Sequence, residues 1–343
     1  MKDSSFSLET IRQAQTRIAS GLRLTPCAYS APLSELAGMN IFCKRDYQQA
    51  TGSFKERGAR NALLGLTPDQ RSRGVIAASA GNHALGLAWH GGLLGISVTV
   101  VMPLSAPGVK AERCRELGAR VILHGNGFAE AAAFAVQLGR AEGRTFIHPF
   151  EDEAVIAGQG TLALEVLDQV SDFDAFIVPV GGGGLLAGVA TVVKTLRPKV
   201  QIIAVEPAHA AGLTVALSAG RPIDVPVSHT VADGLAVSQV GHYTFSVARG
   251  LIDRCVTVTE DELALALLEL AERDGTVVEG AGATALAACL SGKLADLRGK
   301  RLVIPLCGRN IDPTVHARAL WRGRTVRDFE ARDRQACTAA ALA

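Results

Sequence analysis

From about residue 70 to 210 the chain repeats one pattern of apolar and polar positions: a short β-rich run, a turn of small or acidic residues, then an amphipathic helix. The segments "GVIAAS", "VTVVM", "RVILH", "AFIVPV" and "VQIIAVE" read as strands, and "VKAERCREL" and "AEAAAFAVQLGRAEG" as helices between them. Such near-continuous apolar runs belong to parallel strands covered on both faces. Further on, "CVTVTEDELALALLELAERDG" passes from a strand into a capped helix, and "RLVIPLCGRN" is a strand ending in a turn. The order predicts an α/β protein of two units, with a boundary near "FIHPFED" and room for a domain made of discontinuous segments. No internal repeat or low-complexity linker occurs. The last stretch, residues 321–343, turns to charge and then alanine, and is expected to be a frayed helix or a disordered end.

One helix start departs from the pattern. In "ATGSFKERGARNA", a helix beginning after Ser53 would have Ser53 and Glu56 at capping-box spacing. That phase puts Lys55, Ala59, Ala62 and Leu66 on one inward face, with Glu56, Arg57 and Arg60 pointing elsewhere. An ammonium held out of water near the positive end of a helix has a lowered pKa and is more often the nucleophilic amine, the profile of a Schiff-base lysine. A lysine whose stem merely covers the helix start fits the same pattern.

Composition narrows the partners. The 343 residues are 48% hydrophobic, enough for a large core, and 35 Lys and Arg against 33 Asp and Glu leave a net charge of +2. There is no basic footprint for nucleic acid or a membrane surface, so the expected partner is a small molecule. Seven cysteines without a C-x-x-C pair argue for free thiols in a reducing compartment. The start "MKDSSFSLET" lacks an apolar signal core and no apolar run reaches spanning length, so a cytoplasmic protein is expected.

Three further stretches carry candidate chemistry. "PVGGGGLLAG" sets Gly181, Gly182, Gly183 and Gly184 between a strand and a helix starting near Leu185, an anion cradle of converging amides that lacks the lysine of a Walker A loop. It also contains G-x-G-x-x-A, with Glu206 about 20 residues on, so a dinucleotide-binding dehydrogenase is a rival reading. "ASAGNHALG" is a second strand-to-helix turn: its amides and Ser79 suit a carboxylate, Asn82 suits a hydroxyl oxygen, and His83 reads more readily as structural than as a base. "PLCGRNID" ends a strand with Cys307, Gly308, Arg309 and Asn310, where α/β sheets face their ligands.

Taken in order over nearly the whole chain, "TGSFKERGA", "SAGNHALG", "GQGTLALE", "PVGGGGLLAG", "TVADGLAV", "EGAGA" and "CGRNID" resemble the fold type II pyridoxal-phosphate enzymes related to tryptophan synthase β, and within them the serine/threonine dehydratases. The dehydrogenase reading has no use for Lys55 or Asn82. The resemblance implies two open, twisted, mainly parallel α/β domains with the active site between them: a large one from residues 1–70 and 150–320, and a small one from 71–149. It implies that Lys55 holds pyridoxal 5'-phosphate covalently and that Phe54 packs beside the ring. Gly181, Gly182, Gly183, Gly184 and Leu185 would bind the phosphate, Asn82 the ring hydroxyl, Gly234 would lie against the ring, and Cys307 would face the pyridine nitrogen. Ser79, Ala80, Asn82, His83 and Leu85 would belong to the substrate loop. A homodimer or homotetramer is the implied assembly.

A neutral thiol at the pyridine nitrogen favours elimination over transamination, which points to an ammonia-lyase releasing a 2-oxo acid from a β-hydroxy amino acid, with Lys55 as general base. Ala80 stands where the racemase branch has a serine base, so racemisation is expected to be minor at most. Leu85, where relatives commonly have glutamine, suggests a bulkier or more apolar substrate such as phenylserine, whereas Arg309, where glycine is usual, suggests either an acidic one such as hydroxyaspartate or merely a surface ion pair. Glu206 and Pro207 match part of a divalent-ion site in some relatives, but no second carboxylate follows, which leaves Glu206 as a weak metal candidate. Too little chain follows residue 320 for a regulatory domain. A β-replacement enzyme and a catalytically silent amino-acid-binding protein are the alternatives.

Overall fold

The structure is a computed structural model that describes residues 6–106 and 108–341. The chain begins with α1 (Leu8–Ile18), β1 (Cys27–Tyr29), α2 (Ala31–Ala37), β2 (Asn40–Lys44) and α3 (Lys55–Leu64). Next, α4 (Pro68–Arg73) leads into β3 (Val75–Ala78), α5 (Asn82–Leu94), β4 (Val98–Met102), α6 (Gly108–Glu116), β5 (Arg120–Leu123), α7 (Phe128–Glu142) and β6 (Thr145–Phe146). After them come α8 (Glu153–Gln169), β7 (Ala175–Pro179), α9 (Gly184–Leu196), β8 (Gln201–Pro207), α10 (Gly212–Ala219) and α11 (His242–Ala248). The last elements are β9 (Arg254–Val258), α12 (Glu260–Arg273), α13 (Gly280–Leu290), β10 (Arg301–Pro305) and α14 (Pro313–Ala341).

Two sheets organise these elements. Six strands are ordered β1-β2-β10-β7-β8-β9, all parallel except the β1 edge, and four parallel strands are ordered β5-β4-β3-β6. The larger sheet therefore draws strands from both ends of the chain. Side chains alternate across it: Phe176 and Val178 of β7 join α1, α8 and α9 in one core, and Ala175 and Ile177 join α12 and α13 in another. In the smaller sheet Val75 and Ala77 pack on the side of α5, and Ile76 and Ala78 on the side of α7. Each fully buried aliphatic side chain in these layers contributes about 1.5–3 kcal/mol.

Three strands were not legible as such: β1, β2 and the two-residue β6. Among the described residues no helix is long and apolar enough to cross a membrane. The stretch expected to fray or be disordered, where it is described, continues α14 as helix up to Ala341.

The start of α3 differs from its sequence reading. No capping box forms: Glu56 Oε1 instead accepts from the Thr51 amide and from its hydroxyl (2.8 Å), and Ser53 Oγ is buried without a partner. Nor is there a solvent face, since every residue of α3 from 56 to 63 is buried beneath α1, α5 and α8. Its polar side chains are satisfied internally. Arg57, 0% exposed, donates through Nε and Nη2 to Asp46 (2.6 and 2.9 Å) and through Nη1 and Nη2 to Glu165 (2.7 and 2.8 Å). The buried Lys44 donates to Glu165 at 2.5 Å and to the Thr25 carbonyl at 2.6 Å. Two cations and two carboxylates thus compensate one another below the helix that begins with Lys55.

Candidate active site

The candidate residues come from turns at the carboxyl ends of parallel strands, the edge at which open α/β sheets bind ligands. After β7, residues 181–184 run into α9, with Gly183 at φ 91°, a conformation that favours glycine. A Cβ on Gly182 would lie 2.2 Å from the Phe150 ring, and one on Gly183 would lie 2.9 Å from Thr244 Oγ1. Hydrogen bonding inside α9 starts with the Ala187 amide, which donates to the Gly183 carbonyl at 2.9 Å. Among the described residues nothing accepts from the amides of Gly181, Gly182, Gly183, Gly184 and Leu185. Five orphan donors at the positive end of a 13-residue helix make a cradle for a phosphate.

Lys55 lies next to this cradle through a single connection. Its Nζ donates to the Pro149 carbonyl at 2.8 Å, and the next residue, Phe150, is the one that crowds Gly182 and Gly184. Desolvation lowers the Lys55 pKa from 10.5 to about 8, although Cys307 and Glu279 oppose the shift. Phe54 is half-buried, its ring centroid 5.5 Å from Lys55 Nζ, and its amide donates to the Cys307 carbonyl at 2.9 Å. The Cys307 thiol is buried and donates weakly to the Pro305 carbonyl (3.6 Å). Burial, reinforced by Asp46 and Glu279, raises its pKa well above 9.0, so the thiol is neutral.

Asn82 opens α5 and joins the same cluster. Its Nδ2 donates to Glu279 Oε1 at 2.6 Å, and its Oδ1 accepts from Asn310 Nδ2 at 2.7 Å. Burial raises the Glu279 carboxyl to about 7, with Asp233 adding to the effect. A Cβ on Gly308 would stand 2.2 Å from Glu279 Oε1, so any larger residue there would displace the carboxylate. Gly234 faces the Ala281 methyl, and its neighbour Leu235 abuts Gly181, so the contacts close a ring from the glycine turn to Asn82. In the Ser79 turn, Ser79 Oγ accepts from the Gly81 amide at 3.2 Å and Ala80 is partly exposed.

Side-chain placement bears on three further residues. His83 is buried, with Nε2 facing the Ile147 carbonyl at 3.3 Å, and desolvation lowers its pKa to about 3; only its backbone belongs to the helix start. Leu85 is buried with Ala59, Val75 and Leu87 in the core of the four-stranded layer, so its side chain is a packing group. The Glu206 carboxylate accepts from the Leu213 amide (2.6 Å) and from the Thr214 amide and hydroxyl (2.8 Å each), which commits it to the start of α10. No metal-ligating cluster occurs among the described residues.

Sequence reasoning did not single out Glu279, Pro149 or Phe150, and it placed Asn310 at a ligand-facing strand end without giving it a partner. Glu279 sat inside a quoted motif without a role, and only the fold brings it and Asn310 to Asn82. For Pro149 and Phe150 there was no local signal beyond the suspected boundary.

Comparison with known proteins agrees with this geometry. The sequence profile of the pyridoxal-phosphate dependent enzymes matches residues 18–308. An L-threonine ammonia-lyase of Thermotoga maritima is 43% identical over 318 residues, 93% of this chain and 79% of the relative. The structure of processed threonine deaminase isoform 2 from Solanum lycopersicum superposes with a TM-score of 0.86 at 36% identity, covering 92% of this chain and 94% of that one. Maize serine racemase gives 0.88 at 33% identity, covering 93% and 98%. The orphan amides beside a desolvated lysine amine are what the phosphate and aldehyde of pyridoxal phosphate require, and the chain belongs to the pyridoxal-phosphate-dependent enzymes of fold type II.

Proposed function

We propose that the protein is an ammonia-lyase that converts a β-hydroxy amino acid of the threonine and serine type to a 2-oxo acid and ammonia. The observation that carries this reading is the pairing of a desolvated Lys55 amine with a buried, neutral Cys307 thiol. Its similarity to an L-threonine ammonia-lyase supports the substrate class.

Lys55 would be the covalent anchor of the cofactor, and Gly181, Gly182, Gly183, Gly184 and Leu185 would hold the phosphate. Phe54 and Gly234 would flank the ring, Asn82 would meet its hydroxyl, and Cys307 would stand at the pyridine nitrogen. Pyridoxal phosphate, when bound, supplies an electron sink for negative charge at the substrate α-carbon. The amides at the start of α5, with Ser79, hold the substrate carboxylate. The substrate amine displaces Lys55, whose freed Nζ takes the α-proton, and its lowered pKa lets the amine be neutral near pH 8. The β-hydroxyl then leaves as water with the proton that Lys55 has taken, a Cα–Cβ double bond forms, and hydrolysis of the released enamine gives the 2-oxo acid and ammonia. Because Cys307 does not supply a proton to the pyridine nitrogen as an acidic group would, negative charge at the α-carbon is short-lived and elimination wins over transamination. The Ala80 methyl cannot move a proton on the opposite face, which disfavours the racemase reading despite the likeness to maize serine racemase. Assembly as a homodimer or homotetramer and a cytoplasmic location complete the proposal.

Purified enzyme given L-threonine, L-serine, threo-phenylserine or hydroxyaspartate is expected to release equal amounts of 2-oxo acid and ammonia from L-threonine or L-serine, without accumulation of the D-isomer. Formation of cysteine from O-acetylserine and sulfide, with no 2-oxo acid from any of the four, would overturn it.

Cofactor uptake gives a second test. Protein freed of cofactor is expected to capture pyridoxal phosphate about tenfold faster per pH unit as pH rises below 8, and to level off above it, because only the neutral amine attacks. A rate that keeps climbing to pH 10, followed by absorbance after rapid mixing, would show that Lys55 is an ordinary solvated lysine.

A further inference from the structure

We propose that Asn310 and Arg113 are positioning residues that make Asn82 a hydrogen-bond donor toward the cofactor, and that they tie this state to the position of α6. Asn310 follows β10 in the six-stranded layer, whereas Arg113 comes from α6 in the four-stranded layer, and Arg113 Nη1 donates to Asn310 Oδ1 at 2.8 Å. A guanidinium has no acceptor, so it admits only the oxygen end of the Asn310 amide. The nitrogen end then faces two oxygens, donating to the Thr51 carbonyl at 2.8 Å and to Asn82 Oδ1 at 2.7 Å.

The order passes on to Asn82. An amide has nearly the same shape in both orientations, and its hydrogen-bond partners decide which is adopted. With Oδ1 taken by Asn310 and one Nδ2 hydrogen given to Glu279, Asn82 has one hydrogen left to offer. A donor stabilises the ionised form of the cofactor hydroxyl, which an acceptor would oppose. One Asn310 amide therefore joins the Asn82 turn, the Thr51 turn before Lys55, and α6.

A second contact from the same helix makes this conditional on the layers being closed. Lys110, three residues before Arg113 and so on the same face of α6, pairs with Asp233 at 2.9 Å, and Asp233 adjoins Gly234 in the six-stranded layer. When α6 sits on this rim, Arg113 reaches Asn310; when it lifts, Asn310 loses the partner that holds its oxygen end.

The inference rests on the role proposed for Asn82, and the experiment separates the two. Affinity for pyridoxal phosphate and the pH dependence of its long-wavelength absorption are measured by titrating cofactor-free protein. Asn310→Asp, which keeps an acceptor for Arg113 but has no donor for Asn82, is expected to weaken binding about tenfold and to move the colour change to higher pH. Arg113→Ala, a change at the partly exposed rim that leaves the fold intact, is expected to give about a threefold effect in the same direction, and Arg113→Lys to restore it. A purely structural role would lower the melting temperature of these variants without moving the colour change. If Asn82→Ala alters affinity and colour while Asn310→Asp and Arg113→Ala alter neither, the inference is overturned. If Asn82→Ala itself alters neither, the role proposed for Asn82 fails, and the inference with it.

Discussion

Lys55→Ala is expected to lower 2-oxo acid formation by about 10⁴-fold or more, because it removes the proposed general base and the proposed covalent hold on the cofactor together. The titratable neighbours already have partners: the Cys307 thiol and His83 face backbone carbonyls, the Glu279 carboxyl accepts from Asn82 Nδ2, and Ala80 has no titratable group. After borohydride reduction the wild type is expected to carry the pyridoxyl label on Lys55 and the variant to carry none. A variant that keeps more than about a hundredth of wild-type turnover would assign the proton transfer to another group.

Arg57→Met should have the largest effect on stability, a loss of about 3–5 kcal/mol in urea unfolding near neutral pH, since it leaves the buried Asp46 carboxylate without its partner. Burial opposes the Asp46 charge, but Arg57 and Lys44 outweigh it and hold the pKa below the ordinary 3.8. A depressed carboxyl pKa stabilises the fold above the unfolded-state value, and that share is lost as pH falls through the folded value. In the variant Asp46 becomes a buried, poorly paired acid whose pKa rises, and it can be protonated in the folded state. The difference between the two proteins should therefore shrink as pH is lowered from 7 toward 4. A difference of less than about 1 kcal/mol at pH 7 would mean that water or Lys44 replaces Arg57 at little cost.

The same buried cluster explains what could be read in the sequence and what could not. Strands such as β4 and β7 were plain because each is a continuous apolar run covered on both faces. β2 has an equally central place, between β1 and β10, but it ends in Lys44 and is followed by Arg45 and Asp46, which resemble a solvated turn. Lys44 and Asp46 are nevertheless buried, paired with Glu165 and Arg57, which lie 121 and 11 residues away along the chain, and no local pattern announces such pairs. The helix start at Lys55 was legible for the opposite reason: a lysine heading an apolar stripe conflicts with local expectation, and the fold retains the conflict. The polar residues beside it misled because periodicity measures polarity, and buried ion pairs are polar. At the candidate site, the glycine turn and Asn82 were visible in local motifs, whereas Glu279 and Asn310 gained a role only when β10 and α13 met α5.

The Pro149–Phe150 connection has a consequence for evolution and engineering. Its carbonyl receives the Lys55 amine and its next ring bounds the glycine turn, so one peptide unit would act as a ruler between the proposed covalent and ionic anchors of a single ligand. The spacing must match one molecule, whereas the substrate end of the site is formed by other turns. Changes of substrate can accumulate in the Ser79 turn without disturbing the ruler, but an insertion between residues 149 and 150 would alter both anchors together, whatever the substrate.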